Sequence, residues 1–136
     1  MPSFNIYLII YADSLDFLKI SESIGVLPTN SWHKGDAIPN RTITRKESCW
    51  EYCTGYVESH HFEDVFISKI LTVFDAKKGE LVKLCDDQSA KIKIDVVVKM
   101  DTVSVPSICL DEKILTFLNS IQATIDFDMY VTEKKD

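Results

Sequence analysis

In the run Lys91-Ile92-Lys93-Ile94-Asp95-Val96-Val97-Val98-Lys99-Met100, apolar and mostly charged positions alternate without a break. Ile92, Ile94, Val96, Val98 and Met100 fall on one side, and Lys91, Lys93, Asp95, Val97 and Lys99 on the other. A period of two marks a strand buried on one face only. The stretch Thr124 to Val131 repeats the pattern: Ile125, Phe127, Met129 and Val131 point in, while Thr124, Asp126, Asp128 and Tyr130 point out. A sheet covered on both faces would show near-continuous apolar strands instead. The two runs therefore predict helices on one side of a sheet and an open face on the other.

Working outward, Asn5 to Ala12 reads as a strand, with Ile6, Leu8 and Ile10 on one side and Tyr7, Ile9 and Tyr11 on the other. Asp13 or Ser14 is the expected cap of a short helix through Ile24, which Gly25 stops in a left-handed turn. Val26 to Lys46 reads as a loop rich in turn formers, and a loop of this length in a small domain is often functional. Ser48 to Thr54 is a second strand that Gly55 is expected to end. Phe62 to Leu84 is the longest helical stretch, with Phe62, Phe66, Ile70, Val73, Phe74, Leu81 and Leu84 as its stripe and Gly79 as a point of division. Asp111 caps a last helix to Ile121. The expected fold is α/β (α+β): a two-layer sandwich of about four strands with helices on one face, in the order β-α-β-α-β-α-β. The 136 residues suit a single domain over 1–136, with disorder expected only in the tail Thr132 to Asp136.

The chain carries a net charge of −6, which disfavours nucleic acid and favours a basic protein as partner. The N-terminal run Phe4 to Ala12 follows no basic segment and reaches no membrane-spanning length, so neither export nor membrane insertion is expected. A cytoplasmic location with four reduced cysteines follows as the expectation.

Side chains able to carry chemistry are few. Cys49 and Cys53 share a strand face and precede His60-His61, but the spacing matches no zinc pattern and nothing nearby would activate a thiolate. Asp126 and Asp128 stand about 7 Å apart on one strand face, an arrangement that suits a cation or acid–base work and equally suits a solvated edge. No phosphate loop is present; the chain has four glycines. The expectation is no catalytic residue, no metal and no cofactor. What remains is surface: Tyr7, Tyr11, Asp95, Asp126, Asp128 and Tyr130 on the open face, with Trp50 and Tyr52 as further candidates.

Three segments resemble an uncharacterised bacterial family, domain of unknown function 4279. They are Pro28-Thr29-Asn30-Ser31-Trp32-His33-Lys34-Gly35-Asp36, Trp50-Glu51-Tyr52-Cys53-Thr54-Gly55-Tyr56-Val57-Glu58-Ser59 and the closing strand Ile125 to Val131. The resemblance implies a bacterial cytosolic α/β protein and carries no catalytic residues over. Within it, Lys34, Gly35, Asp36, Trp50, Thr54, Gly55 and Tyr56 read as structural, Trp50 closing the core under the long loop. Proteins of this kind are suspected of being immunity proteins. The function expected is therefore a non-catalytic protein, a monomer or weak homodimer, that neutralises a basic toxin domain of a contact-dependent or polymorphic toxin system. The alternative is a small-ligand-binding or enzymatic domain using the 28–46 loop, with Trp32, Lys34, Asp36, Trp50 and Tyr56 around its pocket.

Overall fold

A computed structural model describes residues 1–133 of the chain. Five strands form one sheet in the order β2-β3-β1-β4-β5. They are β1 (Ser3–Ala12), β2 (Asn30–Trp32), β3 (Ser48–Glu58), β4 (Lys91–Asp101) and β5 (Thr124–Thr132). The first four pair antiparallel, and β5 runs parallel to β4 after a helical crossover. The strand beyond the expected four is β2, three residues inside the segment read as a loop. So short a strand shows no alternation of its own, and β3 recruits it by pairing.

All helices lie against one side of the sheet. Helix α1 (Phe17–Ile24) is capped by Asp16, whose side chain accepts from the Lys19 N–H, rather than by Asp13 or Ser14. The stretch from Phe62 runs through α2 (Phe62–Phe66), a π-helical turn (Ile67–Leu71), α3 (Thr72–Phe74), a 3-10 turn (Asp75–Lys77) and α4 (Lys78–Gln88). The break falls at Asp75–Lys77, just before Gly79. Helix α5 (Glu112–Ser120) starts at its expected cap, Asp111, which accepts from the Ile114 N–H.

Between the layers lies one contiguous core. Phe4, Ile6, Leu8 and Ile10 from β1 meet Ile92, Ile94, Val96 and Val98 from β4 and the helical stripe. Phe62 is its aromatic hub, with ring centroids 5.6 Å from Phe4, 5.6 Å from Phe66 and 5.2 Å from Phe127. Val73 is only half-buried. On β5 the expected inward set fails at its end: Met129 is 51% and Val131 58% exposed. The core contact of β5 runs through Ile125 and Phe127. The tail also differs from expectation, since Thr132 pairs with Asp101 as the last residue of β5; the rest of that expectation, at 134–136, lies outside the described residues.

Gly55 does not end β3. The strand continues to Glu58 across a bulge, where the register steps from Asn5↔Tyr56 to Tyr7↔Cys53. Two residues, Thr54 and Gly55, then oppose Ile6 alone. Gly55 takes φ +73°, a region other residues enter at a cost. The Thr54 hydroxyl accepts from the Ile6 N–H at 3.1 Å and donates to the Gly55 carbonyl at 2.7 Å. The extra residue shifts the alternation, so Tyr56 joins the open face and Val57 packs toward the core.

Candidate functional site

The face of the sheet away from the helices carries the residues expected to bind a partner. Neighbouring strands stand about 4.8 Å apart, so the register fixes which side chains adjoin. Cys53, Tyr7, Asp95 and Asp126 form one row across four strands. Tyr56, Asn5, Val97 and Asp128 form the row on one side of it, and Glu51, Ile9, Lys93 and Thr124 the row on the other. Tyr11 stands beside Cys49 and Lys91, and Tyr130 beside Lys99. All six expected residues (Tyr7, Tyr11, Asp95, Asp126, Asp128 and Tyr130) thus project from this face. Trp50 and Tyr52 do not: Trp50 is fully buried on the helix side, where its indole N–H donates to the Ser21 hydroxyl at 3.2 Å, and Tyr52 stacks edge-on against Phe74. Trp50 therefore seals the sheet against α1 rather than lying under the loop.

The centre of the face is densely filled. Ile9 is 6% exposed although it points away from the helices, because the longer side chains around it close over its methyl groups. Asn5 is equally buried; its amide nitrogen donates to the Tyr7 hydroxyl at 3.0 Å, and its carbonyl oxygen has no partner. Lys99 lies 4.2 Å from the Tyr56 ring centre and Lys93 5.5 Å from that of Tyr11. Burial raises the Asp95 carboxyl above the usual carboxylate range, and Asp126 and Asp128 reinforce the rise, while Lys93 at 3.9 Å opposes it. Glu51 is raised in the same way, by burial first, against the pull of Arg45 and Lys93. Burial likewise raises the Tyr7 hydroxyl.

The segment between α1 and β3 is a strapped ribbon rather than a free loop. Ala37 bridges Thr44, Gly35 donates to the Arg45 carbonyl at 2.8 Å, and Arg45 returns a bond to the Asp36 carbonyl at 2.8 Å. The Asp36 carboxylate accepts from the His33 N–H, and Gly35 takes φ +91° at the turn. Lys34 ties the base down: its N–H donates to the Ser48 hydroxyl at 2.9 Å, and its ammonium lies 3.5 Å from Asp13. Lys34, Gly35 and Asp36 thus shape the ribbon, whereas the Trp50 indole is buried against α1.

Trp32, at the ribbon's base, walls a hollow of about 200 Å³ in the open face, with Ile9, Tyr11, Glu51, Lys93 and Asp95 as its main lining. The Arg45 guanidinium sits 3.9 Å from the Trp32 ring centre. The sequence marked Tyr11, Asp95 and Trp32 for different reasons and missed Glu51, Lys93 and Ile9. The alternation of β3 sets Glu51 on the face opposite Trp50 and Tyr52 without naming which face is open; the pairing of β1 between β3 and β4, which brings Glu51 and Lys93 together, leaves no trace in the sequence. Larger hollows of about 650 and 670 Å³ lie at the ends of α1 and α4 and beside the π-helical turn, and they hold no aromatic side chain.

Two of the four thiols, Cys49 and Cys85, are poorly placed for chemistry. Burial pushes Cys49 up to about 12 and Cys85 up to about 11, and the thiolate is the reactive form. His61 lies past the opposite end of β3 from Cys49 and meets the Ser107 hydroxyl at 3.1 Å. Among the described residues no cluster of three or more His, Cys, Asp or Glu is placed to hold a metal ion. Among them, too, no helix is long and apolar enough to cross a membrane.

A family model described as a domain of unknown function, number 4279, matches residues 2–132. No curated protein and no solved structure matches the chain.

Proposed function

The chain belongs to the family of domain of unknown function 4279, and from that premise we propose that it is a non-catalytic binding protein, an immunity-type antidote that covers the active site of a basic toxin domain. One observation carries the reading: a sheet face that gathers Tyr7, Tyr11, Tyr56 and Tyr130 with Glu51, Asp95, Asp126 and Asp128, while every helix packs on the opposite side. Tyrosine supplies large contact area at small entropic cost and keeps a polar tip, which suits the centre of an interface. The surrounding carboxylates and the net charge of −6 favour encounter with a basic partner. An antidote must hold its toxin at low concentration, so a Kd on the order of nanomolar or below is expected.

Co-expression with a toxin domain encoded beside its gene tests this. The expected result is rescue of growth and co-purification of the pair, both lost in the Tyr7→Ala/Tyr130→Ala variant. Rescue without a complex, or neither, would remove the antidote reading. The hollow under Trp32 supports a second reading, a small-ligand or enzymatic domain using the 28–46 ribbon. It predicts turnover or binding of a small molecule that depends on Trp32 and not on Tyr130.

A further inference from the structure

We infer that the hollow bounded by Trp32, Tyr11, Glu51 and Asp95 is a slot for a guanidinium group, presented as an arginine side chain by the protein partner. The inference rests on the docking reading above and adds the chemistry of the contact.

Size is the first argument. Pockets for drug-sized ligands run from roughly 300 to 1,000 Å³, and this one holds about 200 Å³. It suits one long side chain better than a free metabolite with several recognition groups. The lining is the second argument. Ile9 forms a buried apolar floor, and Trp32 and Tyr11 are aromatic walls whose faces already attract cations of the chain itself: Arg45 at 3.9 Å and Lys93 at 5.5 Å from the ring centres. Charge is the third. The Glu51 carboxylate makes no hydrogen bond and no ion pair among the described residues, although it is half-buried. Among the described residues Asp95 has only Lys93 as an ion pair, at the long distance of 3.9 Å, and it stands beside Asp126 on the neighbouring strand. Burial outweighs the pull of Arg45 and Lys93 on Glu51 and of Lys93 on Asp95, so a further cation between the two carboxylates would stabilise their charged forms.

Guanidinium fits this demand better than ammonium. It is planar, stacks on aromatic faces, is weakly hydrated and reaches carboxylates through a rigid fork of N–H donors. A side chain entering along the Ile9 floor would lay its methylenes on an apolar surface and bring its head to Glu51 and Asp95. Hot-spot residues of interfaces are often arginines seated in such pockets.

The test titrates the intact protein with Nα-acetyl-arginine methylamide, and in parallel with the citrulline analogue, which keeps the shape and loses the charge. Trp32 and Trp50 give separate indole N–H signals in nuclear magnetic resonance, one half-exposed and one buried. The arginine probe is expected to shift the Trp32 indole and the Ile9–Tyr11 amides saturably and to leave Trp50 unmoved. Citrulline is expected to shift neither, and Glu51→Gln to weaken the arginine response about tenfold, the loss of one charge-assisted hydrogen bond. The same variant is expected to unfold no earlier in urea, which separates lost binding from lost folding. Equal responses to both probes, no response, or an unchanged response in Glu51→Gln would overturn the slot. A toxin domain that binds wild type and Glu51→Gln equally would overturn the slot and leave the docking reading standing. Specific arginine binding without any protein complex would keep the guanidinium site and overturn the docking.

Discussion

Replacing Trp50 by alanine removes the largest fully buried side chain in the protein. Large aromatic-to-alanine changes in cores cost about 3–5 kcal/mol, the lost transfer energy plus the cavity. The indole also donates to Ser21 at 3.2 Å; that hydroxyl is half-buried, so water replaces the donor and adds little. A cost of about 4 kcal/mol is therefore expected, a large part of the roughly 5–15 kcal/mol that holds such a domain together. With a urea slope of about 2 kcal/mol per molar, the midpoint should fall by about 2 M. Trp32→Ala is the matched control: its ring is half-exposed and its main partner is Arg45, so the loss should stay near 1 kcal/mol or below. Urea unfolding followed by far-ultraviolet circular dichroism measures both. A Trp50→Ala cost under about 1 kcal/mol, or equal costs at the two positions, would refute the assignment of Trp50 to the core and Trp32 to the face.

Glycine substitutions should act in opposite directions. Gly55→Ala forces a side chain into φ +73° at the bulge and should cost about 1–2 kcal/mol, whereas Gly79→Ala in α4 meets nothing within 4 Å and should stabilise by up to about 1 kcal/mol; urea midpoints report both. The raised carboxyls give a pH test. A carboxyl whose folded value exceeds its unfolded one contributes stability that is complete below the unfolded value and is lost as pH rises through the folded one. Asp95→Asn and Glu51→Gln should therefore raise the urea midpoint near pH 7 and change it little near pH 3.5, below the ordinary carboxylate values. For the thiols, mass-spectrometric mapping after native alkylation at neutral pH should find exposed Cys109 modified first and buried Cys49 last.

Much of the architecture is written in local periodicity. The alternation in Lys91–Met100 and Thr124–Val131 states a one-faced sheet, and Phe62, Phe66, Ile70 and Phe74 state the helix that covers it. Asp111 and Gly25 perform the roles their chemistry suggests. The misses share a cause. Whether Gly55 ends β3 or bulges within it depends on Ile6, 49 residues earlier, and on the bond that the Thr54 hydroxyl accepts from the Ile6 N–H. Strand β2 exists because β3 offers it an edge. Trp50 and Tyr52 alternate correctly with Glu51, but alternation names two faces and not which one is buried; the parity of Leu8 and Ile10 opposite them decides that. The six residues expected on the open face all reach it, because the buried sets of β1 and β4, and Ile125 and Phe127 on β5, fix which parity of each strand faces the helices. The hollow among them was invisible, since its walls come from β1, β2, β3 and β4, and only the sheet order brings these together.

The central claim is that the open face, and not the helical side, meets a basic partner. Charge reversal on each side tests it with the same change in net charge. Asp126→Lys/Asp128→Lys alters the open face, and Asp86→Lys/Asp87→Lys alters exposed positions on α4. Measured as binding to the co-expressed toxin domain at physiological salt, the first pair should abolish the complex and the growth rescue, and the second should leave both near wild type. Equal losses from the two variants would reduce the effect to overall charge, and a complex that survives the first pair would contradict the account.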